Sequence, residues 1–158
     1  MRGGRLVRVE NAPLDTEGIA ALIRDPADLR LVWPKALWPF DHGQWRETLA
    51  PEEGHRSFFF SVDGETVGHG AIRRLERPGA CSINYLFLAK GWRGQGHGEE
   101  MVRSLEAYAG GRLGAGELTL VVRSYNQGAM RCYAKCGFET DFVEGTLIRM
   151  AKKLGGDG

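Results

Sequence analysis

Residues 88 to 98 read LAKGWRGQGHG. The run follows an apolar stretch, Cys81 to Leu88 (CSINYLFL), and precedes a segment where Met101, Val102, Leu105, Tyr108 and Ala109 recur at helical spacing. A strand that turns through glycines straight into a helix constrains the fold more than any other feature of this chain. It calls for an α/β arrangement in which backbone N–H groups gather at a helix start, a cradle suited to phosphate or pyrophosphate. Position 101 is Met, so the dinucleotide fingerprint G-x-G-x-x-G is incomplete, and the phosphate-loop ending Gly-Lys-Ser/Thr is missing. Taken alone, the loop is equally an ordinary tight turn.

The remaining elements fit around it. Arg5 to Val9 (RLVRV) reads as a short edge or first strand. Pro13 and Asp15 open a helix carrying Ile19, Leu22 and Ile23. Leu31 to Trp45 (LVWPKALWPFDHGQW) holds three of the four tryptophans. Pro34 and Pro39 forbid one continuous helix there, so two short helices flank an aromatic loop, the second running from about Gly43 to Leu49. Ser57–Val62, Glu65–Leu75 and Cys81–Leu88 form an antiparallel meander through turns at Asp63-Gly64 and Pro78-Gly79. Gly68 and Gly70 flank His69, the mark of a bulge or a close backbone approach. A helix over Gly98–Ala109, a strand over Glu117–Arg123 and a helix from Asn126 to Cys136, stopped by Gly137, come next. A hairpin of Phe138–Val143 and Thr146–Met150 closes the chain. The order implies one α/β domain over 1–158, with an ordered core of about 5–152 and a mixed sheet.

Charge narrows the function classes. Lys plus Arg number 21 against 20 Asp plus Glu, so no broad basic field serves nucleic acid or an anionic membrane. No apolar run approaches the ~18 residues of a membrane span. No cleavable leader follows Met1, and the expected address is the cytoplasm. Three cysteines, Cys81, Cys132 and Cys136, are too few for a disulfide scaffold. Cys132 and Cys136 share a helix face, but the other two ligands of a structural zinc are missing, so no metal is expected.

Two spaced motifs decide what the loop is. Arg93-Gly94-x-Gly96-x-Gly98 resembles the acyl-CoA pyrophosphate signature of the GNAT acetyltransferase superfamily. Asn126-x-x-Ala129-x-x-x-Tyr133-x-Lys135-x-Gly137-Phe138 resembles that family's second pattern. Independently, Asn126 is a good helix N-cap, and Tyr133, seven residues on, faces the same way two turns later. The resemblance implies a mostly antiparallel sheet with splayed central parallel strands, flanked by helices. It implies acetyl-CoA as cofactor, with Leu86 and Leu88 meeting the pantetheine arm. The N–H groups of Gly94, Gln95, Gly96, His97, Gly98 and Glu99, with Arg93 and Asn126, then hold the pyrophosphate side. Glu99 and Glu100 are acids beside a phosphate loop and are expected to point away. Tyr133 is the implied proton donor to the leaving thiolate; the blander alternative is a packed core tyrosine.

The general base stays open. A strand-borne glutamate of lysine-modifying members falls here at Ser82, leaving a water relay past Ser82 and Asn84, or His69, or Asp41 or His42. The aromatic loop falls where the family builds its acceptor wall. Trp33, Trp38 and Phe40 either cover the sheet or line an amine pocket in which Asp41 recognises a cation. The expected reaction is direct attack of a primary amine on acetyl-CoA in a ternary complex, a small-molecule acceptor favoured over a protein N-terminus or lysine. A non-catalytic acyl-CoA sensor and an enzyme acetylating charged transfer RNA are the rivals; net charge +1 opposes the latter. Self-association into a homodimer stays open.

Overall fold

Seven strands form a single sheet in the order β1-β2-β3-β4-β5-β7-β6 in the computed structural model, which describes residues 4–155. The outermost three residues at each end of the expected 1–158 domain lie outside the described residues. β1 (Leu6–Glu10) is the edge strand that its short β-branched run implied. α1 (Thr16–Leu22), α2 (Pro26–Val32) and α3 (His42–Thr48) follow, and aspartates cap all three. Asp15, Asp25 and Asp41 accept hydrogen bonds from first-turn N–H groups that have no partner within the helix.

β2 (His55–Val62), β3 (Glu65–Arg74) and β4 (Ala80–Leu88) are the expected antiparallel meander. α4 (His97–Gly111) then crosses the sheet, and β5 (Glu117–Arg123) runs parallel to β4. α5 (Gln127–Lys135) leads into β6 (Glu139–Glu144) and β7 (Leu147–Lys153). The last strand was expected to stop at Met150 but continues to Lys153 and inserts between β5 and β6. Its extension carries no apolar signal because Lys152 is held by charge: its ammonium donates to Glu106 and to the Cys136 carbonyl.

The helices fall on both faces. Met101, Val102, Leu105 and Ala109 of α4 are fully buried against Phe60, Ile72, Leu118 and Leu120. Each such side chain contributes about 1.5–3 kcal/mol. On the other face Ile19, Leu22, Leu29 and Trp45 of α1–α3 pack with Ala71 and Phe87. Gly68 and Gly70 mark close approach, as expected: a Cβ on Gly68 would lie 2.9 Å from the Phe87 carbonyl, and one on Gly70 would lie 2.8 Å from Leu86 Cδ1.

Candidate active site

Two irregularities in β4 create the site. Opposite β3 the register advances from Ala71↔Asn84 to His69↔Phe87, so β4 carries an extra residue, and Tyr85 takes a left-handed conformation with φ 53°. Few non-glycine residues adopt that region, which marks the bulge as held in place by its surroundings. Opposite β5, parallel pairing ends at Ile83↔Leu120. Beyond that point β4 and β5 splay, and the β5-facing backbone of residues 84–88 has no strand partner.

The splay opens into a cleft of about 700 Å³, in the size range of small-molecule sites. Leu86, Leu88, Arg93, Gly94, Gly96, Gly98, Glu99, Asn126 and Tyr133 line it, so the structure gathers both motifs around one space. Gly94 and Gly96 have φ +79° and +89°, and a Cβ on either would meet nothing within 4 Å. Conformation therefore requires glycine there, while the open side is free to receive a ligand. The first backbone bond of α4 runs from Glu100 N to Gly96 O (3.2 Å), leaving the N–H groups of residues 97–99 without helical acceptors. Residue types and open space both fit a pyrophosphate.

The side chains of several predicted residues are engaged within the protein itself. The Arg93 guanidinium is already engaged: Nε donates to Leu88 O (2.8 Å), and Nη2 lies 3.6 Å from Asp28 of α2. It braces the loop against β4 and α2. Gln95 and His97 are not among the cleft-lining side chains. The Gln95 amide turns back to Gly91 O, and His97 is buried with Nδ1 2.8 Å from Glu100 Oε1. Glu100 thus turns away as expected. Glu99 does not; it stays on the cleft wall, 3.8 Å from Lys135 of α5, whose charge offsets it. Asn126 caps α5 through Ala129 N (3.3 Å), which sets the helix that carries Tyr133. The sequence reading missed Leu31, Tyr125 and the basic pair Arg131 and Lys135, which also line the cleft. The i, i+4 spacing of that pair on a helix already recognised was the available signal.

Tyr133 is 7% exposed. Burial, and then the neighbouring Cys132 and Cys136, push its phenol well above the usual value, so the proton stays on oxygen. Burial likewise pushes the Cys132 thiol up to about 12 and raises Cys81 and Cys136. None of the three is a ready thiolate.

Among the base candidates, His69 is 1% exposed and fully satisfied. Its Nδ1 donates to the Tyr85 carbonyl (2.9 Å), so Nε2 accepts from the Ser57 hydroxyl (2.7 Å). Asn11 Nδ2 in turn donates to Ser57 Oγ (3.1 Å). Burial lowers the His69 pKa to about 4, and the ring pins the β4 bulge. Asn84 Nδ2 donates to Ser82 Oγ (2.9 Å), placing these two together on β4. His42 lies against Thr16 Oγ1 (2.8 Å), on the far side of α3's start.

The aromatic residues meet one another and not the cleft. Trp33 packs edge-on to Trp45 (4.9 Å) and Tyr85 (5.2 Å), and Phe40 stacks on Trp45 (5.3 Å). Trp38 is 43% exposed. Asp41 spends its carboxylate on Gln44 N (3.0 Å), as the cap of α3. Among the described residues no His/Cys/Asp/Glu cluster is arranged to hold a metal, and no helix is long and apolar enough to cross a membrane.

Known proteins share this fold. Residues 26–138 match the acetyltransferase (GNAT) family model. Streptothricin acetyltransferase of Streptomyces lavendulae is 30% identical over 142 residues, 84% of this chain and 73% of that one. An L-amino acid N-acetyltransferase of Escherichia coli K12 is 29% identical over 119 residues, 74% of this chain and 71% of that one. Spermidine N-acetyltransferase of Vibrio cholerae, solved with CoA and spermine, superposes with TM-score 0.76 at 16% identity, over 94% and 95% of the two chains. The splayed strands, glycine cradle and paired motifs are thus those of a known family: the chain belongs to the GNAT acetyltransferases, enzymes whose acyl donor is acetyl-CoA.

Proposed function

We propose that this enzyme transfers the acetyl group of acetyl-CoA directly to the primary amine of a small molecule, within a ternary complex. The observation that carries the reading is the single cleft joining the glycine cradle, the splayed β4 edge and buried Tyr133. Gly94, Gly96 and Gly98 present N–H groups to the pyrophosphate, with Arg131 and Lys135 adding positive charge to the wall. The open edge of residues 84–88 offers backbone groups to the pantetheine arm and a donor to the thioester carbonyl. Bound acetyl-CoA supplies the activated acyl group. The amine nitrogen bonds to the acyl carbon, the carbon–sulfur bond breaks, and one proton passes overall from nitrogen to sulfur. Tyr133, holding its proton, hydrogen-bonds to the departing sulfur and protonates it.

Direct transfer is favoured over an acyl-enzyme because burial raises all three thiols. The base is a solvent relay past Ser82 and Asn84, the polar pair on β4; His69 is committed to the bulge. Relatives named for a streptothricin and for L-amino acids support a small acceptor. The test is thiol release from acetyl-CoA with a panel of amines and peptides. Release with small amines is expected. Tight acetyl-CoA binding without release would favour a sensor, and release with peptides alone would favour a protein acetyltransferase.

A further inference from the structure

We propose that the accepted amine carries a carboxylate, which the guanidinium of Arg73 receives on the sheet face leading into the splay. This deepens, and rests on, the transferase reading above. Arg73 is opposite His55 of β2 and Ser82 of β4, and Ser82 is opposite Thr119 of β5. Directly paired residues share a face, so one polar row crosses the sheet where β4 and β5 begin to part. The face is that of α1–α3, because Ala71, two residues before Arg73, packs with their core.

Arg73 is exposed, and its side chain makes no ion pair or hydrogen bond among the described residues. Its charge also reaches the Tyr85 hydroxyl, opposing the upward push of burial on that phenol. Tyr85 in turn packs against the rings of Trp33, Trp45 and His55. Glu117, in the same face of β5, pairs with Arg77; Asp28 pairs with Arg93; Asp41 caps α3. A carboxylate therefore finds a planar guanidinium whose donors are unengaged among the described residues. The substrate class this fits is an amino acid or a short peptide-like amine with a free acid, its amine directed past Ser82 and Asn84.

The experiment compares kcat/KM for free L-amino acids, their methyl esters, spermidine and kanamycin, in wild type and in Arg73→Gln, Arg73→Lys and Arg73→Glu. A lost charge-assisted contact corresponds to about 10- to 100-fold. Wild type is expected to prefer the free acid over its ester by that factor. Arg73→Gln should raise KM for the acid with kcat nearly unchanged and abolish the discrimination, while Arg73→Lys retains part of it and Arg73→Glu favours the ester. Thermal unfolding confirms that each variant is folded. Equal treatment of acid and ester by wild type, or an unaltered preference in Arg73→Gln, overturns the proposal. Thiol release with spermidine or kanamycin but not with amino acids overturns it while sparing the transferase reading. Binding of acetyl-CoA with no release from any amine overturns both.

Discussion

Tyr133 and His69 are buried polar side chains with opposite duties. Tyr133 lines the cleft, and burial keeps the proton on its oxygen. Tyr133→Phe is expected to lower turnover by about 10²-fold or more with acetyl-CoA affinity preserved by calorimetry. Unchanged turnover would remove Tyr133 from the chemistry. His69 is spent entirely on architecture, and its linkage to pH follows from its pKa. The folded-state value is about 4 against the ordinary 6.5, so the unfolded chain binds the extra proton between those limits. Stability from this group is fully present above pH 6.5 and is lost as pH falls toward 4, about 3 kcal/mol in all. Urea unfolding across that window should show His69→Asn, which keeps a donor for the Tyr85 carbonyl, losing less stability than wild type. Parallel pH profiles would show that the ring is not held neutral.

At the scale of the element, the loop before α4 and the cap of α3 make separate demands on sequence. Gly96 must hold φ +89°, and it opens the first turn of a helix whose N–H groups face the cleft. Gly96→Glu adds backbone strain and a negative charge at the proposed pyrophosphate site, and calorimetry is expected to find no acetyl-CoA binding. Normal affinity would displace the pyrophosphate site from this loop. Asp41 caps α3, and asparagine caps as well as aspartate. Asp41→Asn should therefore leave stability unchanged, while Asp41→Ala costs about 1 kcal/mol. A raised KM for a cationic acceptor in the stable Asn variant would instead bring Asp41 into the acceptor site. The strands and helices were legible because their signals are local: apolar period, proline and glycine breaks, Asp63-Gly64 at the β2–β3 turn. β7 ran past its expected end because its last residues are fixed by Lys152 reaching α4, a contact that no local pattern encodes.

For the whole molecule, the decisive feature is where β4 and β5 stop pairing. A ligand that completes the splay binds the native state alone. At 100 times its Kd it adds about 2.7 kcal/mol, which raises Tm by roughly 5–10 °C for a chain of this size. Thermal unfolding with and without acetyl-CoA checks this; an unmoved Tm at saturation would mean that the cleft is not its site. The glycine spacing and the Asn126–Tyr133 pattern determined the α/β class and, through the family resemblance, acetyl-CoA as the acyl donor, because both motifs depend on backbone geometry within a few residues. The uses of the polar side chains were decided only in three dimensions. Arg93 became a brace, Asp41 a cap and His69 a pin for the bulge, since each found a partner on an element distant in sequence or on its own helix start. The role proposed for Arg73 likewise comes from strand register, which sets it opposite Ser82. A side chain's chemistry is written in the sequence, but its availability depends on which partners the fold brings within a few ångströms, and that is a property of the tertiary structure.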